Sequence, residues 1–71
     1  MNNLINEMAK VLGLGAADMM HHMMDLQEEY LEVTPEMVLK SLYLTAYSYG
    51  CSSEEHIECQ KIYNQHLKAV A

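Results

Sequence analysis

The run Met19-Met20-His21-His22-Met23-Met24 sets six soft or borderline donors side by side. Thioether sulfur and imidazole nitrogen suit Cu(I) or Ag(I), and residues three or four apart on a helix can share one ion. On that chemistry Met20, His21, His22 and Met24 are the metal candidates. The simpler reading is that the methionines pack and the histidines face water, and it is preferred, because the run stands only once in the chain. The same helix holds Asp18-x-x-His21-His22-x-x-Asp25. Asp18 meets His22 and His21 meets Asp25 at a separation of four, which would raise both histidine pKa values. A structural zinc site takes four ligands and would need more from elsewhere. The expectation is a charged outer face with helix-stabilising pairs, and no metal.

Cys51, His56, Cys59 and His66 make a third candidate set. Cys59 and His66 are about 10 Å apart along a straight helix, so one ion cannot take both. Core or boundary positions are expected instead. Cys51 and Cys59 are about 10 Å apart or more if the last helix starts near Ser53, beyond the reach of a disulfide. They read as free thiols of a reducing compartment, the cytoplasm. Gly13-x-Gly15 has no preceding strand and no third glycine, so it is no phosphate loop. No nucleophile–base–acid set can be assembled. The chain is not expected to be an enzyme or to carry a cofactor.

These residues are positioned by helices. The stretch Thr34–Gly50 is the best punctuated, with Thr34 as N-cap, Pro35 at the first helical position, Glu36 at the positive end and Gly50 to close it. Val38, Leu39, Leu42, Ala46 and Tyr49 form one stripe, while Met37 and Leu44 lie opposite. A helix apolar on most sides expects to be covered on most sides. Before it, a short first helix, capped by Asn2 or Asn3, has Leu4, Ile5, Met8, Val11 and Leu12 on its apolar face. Gly13 and Gly15 break it, because two glycines cost about 2 kcal/mol in a helix interior. One long bent helix to Leu31 is the alternative. The second helix, Ala16 to Leu31, has a stripe of Ala16, Met19, Met23, Leu26 and Tyr30, widened by Met20, Met24 and Leu31. Asp18, His21, His22, Asp25, Glu28 and Glu29 form its acidic face. Glu32-Val33 links it onward. In the last helix Ser52 and Glu55 make a capping box, and His56, Cys59, Ile62, Tyr63, His66 and Val70 face inward.

The expected fold is all-α, one domain over residues 1–71: a small helical bundle of three long helices plus a short N-terminal helix. At 71 residues a single core is only marginally sufficient. A small core with five tyrosines and a two-sided central helix points to a homodimer through Met37 and Leu44. At 51% hydrophobic the chain is not disordered, and it lacks a transmembrane run. Its formal charge is −6. Up to Val33, Lys10 stands against Glu7, Asp18, Asp25, Glu28, Glu29 and Glu32, leaving −5; the remainder is −1. With no arginine and no basic cluster, direct binding to nucleic acid or to an anionic membrane is disfavoured.

Three resemblances bear on function. The Met/His run resembles the segments of copper- and silver-binding proteins, which repeat it and are exported; this chain does neither. Ala46-Tyr47-Ser48-Tyr49-Gly50 between two helices resembles the helix-turn-helix of DNA-binding proteins from Leu42 to Lys61. It departs where the recognition helix would open, on Ser53, Glu54 and Glu55, and where His56 and Cys59 replace apolar residues. In helix order and size the layout is similar to the small helical connector proteins that regulate biofilm formation in enteric bacteria. The reading is an acidic helical protein-interaction module, a bacterial or phage- or plasmid-borne accessory regulator or inhibitor. Its acidic face, Asp18, His22, Asp25, Glu28 and Glu29, would meet a basic surface on a partner protein, such as one that binds nucleic acid. The exposed apolar edge Met20, Met24 and Leu31 is a second contact candidate. A Met/His metal binder and a helix-turn-helix regulator are the alternatives.

Overall fold

The computed structural model describes residues 2–70, and the all-α class holds across them. The elements are α1 (Asn2–Val11), α2 (Ala16–Glu29), α3 (Pro35–Leu44), a 3-10 turn (Ala46–Tyr49) and α4 (Ser53–Val70), with no strand among the described residues. Two expectations, the Asn2 cap and the inward Val70 side chain, lie outside the described residues where side chains are concerned. The glycine break separates α1 from α2 as expected. Gly13 adopts φ 71°, its N–H donates to Lys10 O at 3.1 Å, and Leu14 N–H donates to Ala9 O at 2.9 Å. This pair of bonds satisfies the last carbonyls of α1, and it requires the left-handed residue that glycine supplies without strain.

The start of α2 is half capped. Gly15 has no side chain to offer, but its N–H donates to Asp18 Oδ2 at 3.1 Å. The helix ends at Glu29, where Tyr30 turns extended, so Leu31 stands fully exposed in the link and does not widen the helical stripe. The link therefore spans Tyr30 to Thr34, longer than the expected Glu32-Val33. Thr34 caps α3 as read, accepting from Met37 N–H at 3.3 Å, with Pro35 at the first position.

The central helix is not continuous to Gly50. Thr45 Oγ1 donates to Ser41 O at 2.7 Å, the Thr45 backbone sits at φ −103° and ψ 13°, and the chain tightens into the 3-10 turn. A threonine hydroxyl that takes the carbonyl four residues back offers the backbone this alternative to regular helix. The tighter winding re-aims Tyr47 and Tyr49. Gly50 then ends the turn at φ 78°.

In front of α4 the Ser52–Glu55 box is complete. Ser52 N–H donates to Glu55 Oε1 at 2.8 Å and Glu55 N–H to Ser52 Oγ at 3.2 Å. These bonds hold the Glu55 carboxyl below its ordinary 4.5. Ser52→Ala should cost about 1 kcal/mol, read as a melting temperature lower by about 4–8 °C. An unchanged melting curve would mean that the cap contributes nothing.

The core lies among α1, α3 and α4, which pack closely on one another. Met8, Leu12, Val38, Leu39, Leu42, Ala46, Cys59 and Ile62 fill it. Only Leu26 joins this buried cluster from α2, which approaches no other element as closely. The molecule is accordingly flat, 31 × 30 × 17 Å, with α2 as its outlying member.

Candidate functional site

At 100° per residue, the side chains of α2 that reach the core are Met19, His22 and Leu26. His22 was expected on the solvated acidic face. It is instead 7% exposed, and its Nδ1 lies 2.7 Å from the Tyr49 hydroxyl. The expected rise of its pKa is also reversed. Burial pushes the imidazole below its ordinary 6.5, with the neighbouring Asp25 opposing. The inward stripe of α2 is thus rotated from the one expected: Ala16, Met23 and Tyr30 are exposed, and a histidine takes their place.

The carboxylates beside His22 gather on one side. Asp25 and Glu29 share a depression with His22, Leu26, Ser41, Thr45, Ser48 and Tyr49. Asp18 acts on the same tyrosine. Burial first, then Asp25 and Asp18, push the Tyr49 phenol above its ordinary 10.0. Glu28 is exposed, about 60° round the helix from Asp25 and about 100° from Glu29, and lies outside this depression. No lysine or arginine stands on α2.

This depression, about 320 Å³, continues into a second of about 440 Å³. Leu26, Glu29, Ser41 and Thr45 are common to both. The second adds Tyr30, Met37, Lys40 and Leu44. Together they form one open groove where α2 stands away from α3. Its polar end is His22, Asp25, Ser48 and Tyr49. Tyr30, Met37 and Leu44 supply its apolar lining, Met37 and Leu44 lying about 10 Å apart along α3, and Ser41 and Thr45 lie between the two helices. Met37 is half-buried and Leu44 is 68% exposed. Across α2 a smaller apolar depression, about 280 Å³, lies between Ile5, Met19, Met23, Val33, Pro35 and Val38.

Of the metal candidates, His22 is turned away from Met20, His21 and Met24. Among the described residues no three of His, Cys, Asp and Glu are placed to hold an ion. Met20, His21 and Met24 are exposed, while His22 points inward, about 160° round the helix from Met24. Cys51 and Cys59 are free thiols. Burial is the main reason that the Cys59 thiol is pushed above its ordinary 9.0, so it is a core residue and a poor nucleophile. The first turns of α4 present Glu54 and Glu58 to solvent.

Two arrangements were missed in the sequence. One is the His22–Tyr49 contact, which needed the 3-10 turn to exist. The other is a ladder of rings. Tyr47 stacks on His56 at 4.5 Å between centroids, His56 on Tyr43 at 5.2 Å, Tyr43 on Tyr63 at 5.0 Å, and Tyr63 leans on His66 at 6.1 Å. Its signal was available: Tyr43 and Tyr47 are four apart, and His56, Tyr63 and His66 recur at seven and three on the next helix. The ladder places three of the five tyrosines within the chain, which weakens one motive for a dimer. His66 itself is buried, with Nε2 at 3.6 Å from Glu36 Oε1.

No protein-family model, curated protein or solved structure matches the chain. No helix among the described residues is long and apolar enough to cross a membrane.

Proposed function

We propose that the chain is an acidic helical interaction module, an accessory regulator or inhibitor of bacterial, phage or plasmid origin, that binds a basic surface on another protein. The cytoplasm suits its free thiols. The observation that carries the reading is the placement of Asp25 and Glu29 along one edge of an open groove, with Asp18 near Tyr49, on a helix without lysine or arginine. Carboxylates so arranged attract cationic side chains and repel phosphate, so a nucleic-acid-binding protein is a fitting partner and nucleic acid itself is not. Glu28 adds to the field from outside the groove, and Met20 and Met24, across α2 from the groove, offer a separate adaptable apolar area with Leu31 in the following link.

Reversal of Asp25 and Glu29 to Lys tests the reading. Both are exposed, so the fold should survive. Partners recovered from host extract should be lost on the double variant, and also from wild type as salt shortens the screening length below about 8 Å. Recovery indifferent to both changes would reduce the acidic edge to a solvated surface.

A homodimer through Met37 and Leu44 is the second reading, favoured by the exposure of Leu44. It would set two chains of charge −6 against each other beside their acidic edges, which argues for a weaker association. Sedimentation at high micromolar concentration, with Leu44→Asp as the monomeric control, tests it.

A further inference from the structure

Taking the acidic-module reading as its basis, we infer that the groove between α2 and α3 is the docking site for one amphipathic basic helix of the partner, with apolar anchors among Tyr30, Met37 and Leu44 and a Lys or Arg between Asp25 and Glu29. The groove has a polar end at His22, Asp25 and Tyr49 and an apolar lip of Met37 and Leu44 running along α3, over a floor of Leu26, Ser41 and Thr45. From Tyr30 to His22 is about 12 Å along the α2 axis, or two turns of a facing helix. That length sets a register. An apolar residue against Met37, at the Tyr30 end, puts a residue four to seven places along the partner helix beside Asp25 and the Tyr49 hydroxyl.

A helix fits better than a strand. Both walls of the groove are helices whose backbone groups are already paired, so there is no free edge for an extended peptide to extend. The middle of the floor is Ser41 and Thr45, small enough for a third helix to come close. The groove charge selects the sign of the guest: Asp25 and Glu29 line it against a single Lys40, and Asp18 lies near Tyr49. An anionic lipid surface would meet the same carboxylates and be repelled. A second copy carries only four lysines against ten carboxylates and is a poor match.

The probe is a synthetic alanine-based helical peptide of about sixteen residues, long enough to hold a helix. It carries leucines on one stripe and arginines one to two turns further along the same stripe. Its controls are a scrambled peptide of equal charge and an analogue with glutamate for arginine. Binding is followed by fluorescence anisotropy and mapped by amide chemical shifts on the full chain. The patterned peptide should bind, shift Leu26, Ser41, Leu44 and Tyr49, and lose about tenfold in affinity or more on Asp25→Lys and on Leu44→Asp, a loss of about 1.4 kcal/mol each. Glu28→Lys, outside the groove, should change it far less. Circular dichroism of each variant shows that the fold is kept.

Equal binding of the scrambled peptide, or an equal loss on Glu28→Lys, overturns the groove while leaving a general acidic interaction surface. Failure of every cationic peptide to bind at low salt overturns that broader reading as well. Wild-type protein that self-associates, with Leu44→Asp restoring the monomer, assigns the groove to a second copy and overturns the basic helix as its occupant.

Discussion

Leu39→Ala should bring the protein to the edge of unfolding at ordinary temperature. Leu39 is fully buried, 0% exposed, in the cluster with Met8, Leu42, Cys59 and Ile62. Truncating a buried leucine removes its transfer free energy and leaves a cavity that neighbours refill only in part, at about 2–5 kcal/mol. A domain this small has little reserve, on the order of a few kcal/mol. At about 4–8 °C per kcal/mol the melting temperature should drop by roughly 8–40 °C. Leu44→Ala, five residues on in the same helix, is the internal comparison: a surface change there should stay within about 0.5 kcal/mol. Similar losses at the two positions would mean that α3 is covered on both sides, as its composition alone suggested, and that the open groove is closed in solution.

That contrast marks how far the pattern of residues could be read. Helix number, the glycine break and the Thr34 and Ser52 caps were legible because each rests on neighbours within four residues. The buried stripes of α3 and α4 were legible because the core is apolar there and periodicity reports it. The inward stripe of α2 was not. Hydropathy pointed to Ala16, Met23 and Tyr30, and put His22 among the charges at spacings that favour ion pairs with Asp18 and Asp25. A weakly packed helix is oriented by a few contacts, and the contact that matters here is polar. It depends on Tyr49, twenty-seven residues away, and on Thr45 tightening the chain in front of it. For the same reason the division of the acidic residues of α2 was not legible. Asp25 and Glu29 line the groove, Asp18 serves partly as a cap, and Glu28 faces elsewhere.

Acidification should loosen α2 before it disturbs the rest of the fold. In the folded protein His22 is kept neutral. Its Nδ1 is engaged with Tyr49, its Nε2 is buried and has no partner, and burial holds the pKa below the ordinary 6.5. In whichever tautomer, a second proton would put charge on a nitrogen that nothing solvates, which is costly. The groups facing the ring are Asp25, Asp18 and Glu29 from its own helix and Tyr49 from the turn; Ser41, Thr45 and Ser48 add no charge. Asp25 attracts a proton to His22 but does not overcome the burial. An unfolded or undocked His22 titrates near 6.5, so the released state binds more protons below that pH. Stability of α2 docking is therefore complete above about pH 6.5 and falls as pH drops toward the lowered folded value. The capping carboxylate Glu55 has its own window: its contribution to α4 is present above the ordinary 4.5 and is lost as pH falls below it. Hydrogen exchange at pH 7.5 and 5.5, corrected for intrinsic rates, should thus show α2 exchanging faster at the lower pH, with α1 unchanged. His22→Phe keeps the ring and removes the titration, so its α2 exchange should be flat over that range. Asp25→Asn removes the opposing charge and should steepen the dependence. Uniform exchange along the chain at both pH values, or a pH response that persists in His22→Phe, would show that the His22–Tyr49 contact does not hold α2 in place.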